Sequence, residues 1–215
     1  MTLSRIGVAS AVLLALTLCG CGAMVDTAKE HMGWEKRDIL VTHVKDARDD
    51  QDEAKQQFQT TLQEFQAITH FNGGNLEDEY KKLNSEYETC EKRAQAVSDQ
   101  IDAVDRTANK MFTEWNAELS QYSDPDLRRS SEAKLGETKQ RYAKLLGVMR
   151  KAEASMKPVL VVFHDRVLYM KHNLNAAAIA SLQDTSGKIN DDVTKLISDM
   201  QASINEADTF IGQMK

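Results

Sequence analysis

Apolar residues return along this chain at alternating steps of three and four, the repeat that keeps one stripe against a neighbour when long helices coil together. In a first segment the stripe is Val44, Ala47, Ala54, Phe58, Phe65 and Ile68, mildly interrupted by Gln51 and Thr61. Phe71-Asn72-Gly73-Gly74-Asn75 closes that run with residues suited to positive φ and to capping a following helix. A second segment holds the heptad without a skip from Leu76 and Tyr80 through Cys90, Val97 and Val104 to Met111 and Trp115, predicting a helix to about Tyr122. Ser123-Asp124-Pro125-Asp126 then ends one helix and offers an N-cap to the next. A third stripe runs through Leu135, Tyr142, Met149, Met156, Val159 and Phe163 and is read onward through Tyr169, Met170, Ala177 and Ala180, with Pro158 kinking the helix. A fourth follows Asp184-Thr185-Ser186-Gly187 and repeats Ile189, Val193, Leu196, Met200, Ser203, Ala207, Phe210 and Met214.

At about 1.5 Å per residue these segments give helices of about 55, 70, 85 and 45 Å, longer than globular helices usually are. The expected fold is all-α: an elongated antiparallel four-helix coiled-coil-like bundle. Short connections would bring the turns at 72–75 and 184–187 to one end, and leave a hairpin from about Arg106 to Lys144, tipped by Pro125, projecting at the other. Parallel dimerisation along the same seams is the competing arrangement. Val159-Leu160-Val161-Val162-Phe163 is apolar all round and is expected in the core of the four-helix end. His164, Asp165, Arg166, Lys171 and His172 follow too closely for this patch to span a membrane.

The start of the chain changes the picture from fold to address. Arg5 precedes an apolar stretch from Ile6 to Leu18, the size of a signal-peptide core, so residues 1–20 are set apart from the fold. Leu18-Cys19-Gly20-Cys21 follows, and Cys21, with a small residue before it and Leu three positions upstream, resembles the lipobox at which bacterial lipoproteins are acylated. Cys19 fits that pattern poorly, and secretory cleavage without lipid is the alternative. Residues 21–33 are read as anchor and short linker, and 34–215 as one elongated helical domain. Gly22, where retained inner-membrane lipoproteins often carry Asp, points by resemblance to the periplasmic side of the outer membrane. Acylation of Cys21 leaves Cys90 as the one thiol of the mature chain, placed by its heptad position inside a seam as a small hydrophobe.

Charge and chemistry narrow the function by exclusion. Net charge is −6, which provides no basic field for nucleic acid. The histidines at 31, 43, 70, 164 and 172 include no pair four apart, and the paired Glu-x-x-His motifs of di-iron bundles are missing, so no metal or other cofactor is expected. Ser186-Gly187-Lys188 lacks the upstream glycine of a phosphate-binding loop, and no nucleophile signature surrounds the serines or Cys90. An enzyme is therefore not expected. Arg166 falls on a seam position beside Asp165, and Trp34-Glu35-Lys36-Arg37-Asp38 forms a second charge cluster; register control by a polar group in the seam is preferred to a ligand site.

The lipobox, the Lys36-Arg37-Asp38-Ile39-Leu40-Val41 start and the charged run from Val44 to Phe58 resemble an uncharacterised family of gammaproteobacterial lipoproteins, the domain of unknown function numbered 2959. The resemblance covers everything after Cys21 and implies the same compartment and helical fold, with no activity to carry over. The expected role is a spacer or docking module in the cell envelope, tethered to the membrane by its N-terminal lipid and engaging an envelope protein or a second copy of itself. The alternative is a carrier of a lipid or other hydrophobic ligand. In either case the residues singled out as the contact surface are Val159, Val162, Phe163 and Arg166.

Overall fold

The computed structural model describes residues 36–71 and 73–214. The stretches read as signal segment (1–20) and as anchor and linker (21–33), with Trp34 and Glu35, lie outside the described residues. Four long helices follow one another: α1 Lys36–Thr69, α2 Leu76–Glu118, α3 Pro125–His172 and α4 Ala176–Met214, with a single 3-10 turn at Leu119–Gln121 after α2. Gly73 and Gly74 take φ of +135° and +123°, a region that side-chain-bearing residues avoid, and so make the α1–α2 turn. Asn75 caps α2 by accepting from the Glu77 N–H at 3.0 Å. Asp124 caps α3 by accepting from the N–H groups of Asp126 and Leu127, with Pro125 in the first turn where its missing N–H costs nothing.

Neighbours in sequence are antiparallel neighbours in space. Lys36 meets Glu114 at one end of the α1–α2 pair, and Glu64 meets Lys82 toward the other. Asp102 and Ser98 of α2 bind Arg150 and Glu153 of α3, while Lys144 and Lys151 of α3 reach Glu206 and Asp199 of α4. α4 then closes on α1, through Arg48–Asp208 at 2.8 Å and Gln183 donating to the Thr69 carbonyl at 2.6 Å. The result is a four-sided ring of helices around one continuous core. Phe58 of α1 and Phe163 of α3 meet across its centre with ring centroids 6.5 Å apart and planes at 23°.

The first stripe is buried as its spacing predicts, including the polar positions Gln51 and Thr61, each at 0% exposure, and the second is buried from Leu83 to Met111, with Leu76, Tyr80 and Trp115 at its ends half-buried. The end of the third stripe is corrected. α3 stops at His172, and Asp184–Gly187, read as the turn, is ordinary helix inside α4. The break is at Asn173-Leu174-Asn175, where Asn175 accepts from the N–H groups of Ala177 and Ala178 at 3.0 and 3.1 Å and caps α4. Tyr169, Ala177 and Ala180 are consequently exposed, and the seam passes instead through Val167 and Met170, then Ala178 and Leu182. α3 continues through Pro158 as one helix.

Moving the break also shortens the projecting hairpin. With α4 starting at Ala176, its far end reaches down to the level of Leu135, so Lys144 binds Glu206 inside the bundle rather than standing free. From Asn116 to Lys134 only Leu119 is buried, and this shorter stretch is the part that projects. α3, with 48 residues, sets the length of the rod at about 72 Å.

Gly187 tests the corrected break. An added Cβ there meets nothing within 4 Å and the backbone is helical, so Gly187→Ala is expected to raise stability by about 0.5–1 kcal/mol in denaturant titration. A loss of stability would restore the turn at 184–187.

Candidate interaction surface

The four residues expected to form a contact surface do not share one environment. Val159 and Phe163 are 2% and 1% exposed and belong to the core, Phe163 against Phe58. Val162 is half-buried and packs on that core. Arg166 is half-buried on the side of α3 that faces α4, and its Nε has no hydrogen-bond partner; the seam position beside it belongs to Val167. The apolar run is thus not buried all round. Val161 within it is 52% exposed, and seven residues on, Leu168 is 49% exposed on the same face of the helix. Tyr169 and Leu174 are 39% exposed, extending an apolar area over the last turns of α3 and the α3–α4 break. The repeat Val161–Leu168, one heptad apart and out of phase with the seam, is the signal that marks this face in the sequence.

Between α2 and α3 lies a groove of about 620 Å³. Ala94, Met156 and Leu160 form an apolar floor, and Gln95, Arg150 and Lys157 belong to its rim. Two of its charges are engaged: Arg150 donates to Asp102 at 2.6 Å and Glu153 at 2.9 Å, and Ser98 donates to the same Glu153 at 2.5 Å. Such a closed network orients the two helices.

Cys90 occupies its expected place inside the bundle. It is fully buried, 3.1 Å from the Thr61 hydroxyl on α1, and burial pushes the thiol up to about 12. Burial likewise raises Tyr87 and Tyr142, each with a carboxylate accepting its hydroxyl, Glu91 at 2.5 Å and Asp105 at 2.6 Å. Burial acts to raise Asp199 too, but Lys151 and Ser155, donating at 2.6 and 2.7 Å, together hold its carboxyl below the usual range. Among the described residues no three His, Cys, Asp or Glu side chains are gathered as a metal site, and no helix is long and apolar enough to cross a membrane.

Two consequences are measurable. Cys90 in the native protein should react with a maleimide at pH 8 only as fast as the bundle opens, and rapidly in denaturant; fast stoichiometric labelling of the folded protein would contradict the burial. Because the folded-state pKa of Asp199 is depressed, its contribution is present above the unfolded carboxylate range, near about 4, and is lost as pH falls through the folded value. Asp199→Asn should therefore cost about 1 kcal/mol at pH 7, Lys151 being largely exposed, and the difference from the parent should shrink in acid denaturation below about pH 4.

Comparison with known proteins adds one match. The profile of a family described as "Protein of unknown function (DUF2959)" matches residues 26–214. No curated protein and no solved structure matches the chain.

Proposed function

The chain belongs to the DUF2959 family, whose description assigns no activity; from its geometry we propose that it is a lipid-anchored spacer in the bacterial cell envelope, presenting a docking face at a distance from the membrane. The observation that carries this reading is the separation between the two ends of the rod. Lys36, fifteen residues after the lipobox Cys21, sits beside Glu114 at the hairpin end. The exposed apolar face of Val161, Leu168, Tyr169 and Leu174 lies toward the opposite end, by the α1–α2 and α3–α4 turns. An apolar area on a helix with charged flanks is the usual composition of a protein-binding surface. The anchor's entry at Lys36 and the far end of the rod are held apart by the 34 residues of α1, close-packed in the bundle, a stiff element rather than a flexible linker.

The carrier alternative asks more of the molecule. Val159 and Phe163, the residues that would line its site, already fill the core against Phe58, and a ligand there would have to displace that packing. The groove between α2 and α3 is rimmed by the charged groups of Arg150, Glu153 and Lys157, which suit no wholly apolar cargo.

Two arms test the proposal in cells. Cys21→Ser should move the protein from the membrane to the soluble periplasmic fraction; unchanged fractionation would remove the lipid anchor from the account. A photo-crosslinker at Leu168 or Val161 should give a discrete adduct, its mass separating a partner protein from a second copy, while one at the exposed Ala202 of α4 should not. Absence of an adduct at both apolar positions would remove the docking face.

A further inference from the structure

The hairpin tip carries exposed apolar side chains that the fold does not use. Leu127 is 58% exposed and Tyr122 is 42% exposed. The inner face of the hairpin is already supplied by Leu119, which is buried, and by Trp115, whose indole N–H donates to the Ser131 hydroxyl at 2.8 Å. The turn between them is fixed: Asp124 accepts from the N–H groups of Asp126 at 2.8 Å and Leu127 at 3.3 Å, holding Leu127 on a capped helix start. Tyr122 and Leu127 thus stand out together on one rigid tip, five positions apart across the turn.

The place of that tip identifies the surface. α1 begins at the hairpin's root, where Lys36 binds Glu114 at 2.9 Å, so the chain that precedes it enters the bundle on the same side. Fifteen residues separate Lys36 from Cys21, a tether that reaches at most about 50 Å. Pro125 stands ten residues beyond Trp115, about 15 Å further along the rod and within that reach. Charge argues against an electrostatic attraction. Arg128, Arg129 and Lys134 are offset by Glu118, Asp124, Asp126 and Glu132, and Arg129 is paired with Asp126. What remains is a tyrosine and a leucine, with arginines whose stems can lie along apolar material while their heads stay wet, the mixture found where proteins meet the bilayer interface.

We propose that the hairpin tip is a second membrane contact, Tyr122 and Leu127 entering the interfacial zone of the bilayer that holds the acylated Cys21. The rod then stands on two points instead of swinging from one. The proposal rests on the anchored-spacer reading above, and the experiment separates the two.

The full-length lipoprotein, purified from membranes with Cys90→Ala and a single added cysteine at Leu127→Cys, is labelled with a polarity-sensitive fluorophore. It is then reconstituted into vesicles of phosphatidylethanolamine and phosphatidylglycerol carrying nitroxide lipids. The same label at Lys171→Cys, exposed near the opposite end of the rod, is the reference. Quenching at 127 is expected to exceed that at 171 several-fold, to fall when Tyr122→Ser is added, and to persist in phosphatidylcholine vesicles. Equal quenching at the two sites overturns the tip contact. The mass of the N-terminal peptide decides which reading has failed: with the acylated cysteine present, only the tip contact is lost. With Cys21 unmodified, the anchor falls and the tip contact with it.

Discussion

Each helix of this protein has one apolar stripe, and that stripe must be covered along lengths of 34 to 48 residues. One neighbour cannot do it, because a stripe wide enough to include Ile39, Leu40, Val44 and Ala47 presents atoms to both sides. Two neighbours per helix, with α4 returning to α1, satisfy all four stripes at once and leave the flanks for charge pairs such as Arg48–Asp208 and Arg150–Asp102. The projecting hairpin follows from the same requirement. α2 and α3 are longer than the helices that cover them, and where α1 and α4 end the remaining turns have, among the described residues, only each other. That remainder is held by few internal contacts: Leu119 inside, Trp115 bonded to Ser131, and the ring of Phe112 edge-on to Tyr142 just above, at 5.4 Å and 65°.

The seam is not wholly apolar, and its polar members have different standing. Thr61 bonds its own turn at the Gln57 carbonyl and touches Cys90 across the α1–α2 interface, so it is partnered. Gln51 and Ser203 are fully buried with side-chain polar atoms that have no hydrogen-bond partner. They lie on facing helices, in the stretch bracketed by Arg48–Asp208 and Lys55–Gln201. Each such group costs about 1–3 kcal/mol against a satisfied one. Being unpartnered in this register, neither group stabilises it through a hydrogen bond, and the alignment of α4 on α1 rests on the apolar stripes and the bracketing polar pairs.

Most of the fold was legible because the heptad is strict where packing is tight. Val97, Ile101 and Val104, or Leu145, Met149 and Ala152, announce their burial by spacing alone. The break between α3 and α4 was misplaced for a physical reason. Asp184, Thr185, Ser186 and Gly187 have the composition of a loop, but Asp184 and Gly187 are exposed and Thr185 and Ser186 half-buried while Leu182 and Ile189 carry the stripe past them, one heptad apart. Helix propensity at an exposed position is a weak force beside a continuous apolar face. The actual break has little loop composition, and its signal is a change of phase plus one capping residue, Asn175 ahead of three alanines. The contact surface suffered from the same error. Counting five successive apolar residues hid the fact that Val159 and Phe163 face inward and Val161 outward, a distinction set by the angle of each residue around the helix.

The closure of α4 on α1 has a bearing on how the molecule comes into being. Arg48 and Asp208 are 160 positions apart, and the whole length of α1 leans on a helix made after the other three. The α2–α3 hairpin can assemble from local contacts as soon as it exists, but α1 keeps half of its stripe uncovered until the C-terminal segment arrives. A chain produced from its N-terminus therefore passes through a stage in which its first helix is an open, adhesive surface. The 39 residues of α4 act as the latch that ends that stage.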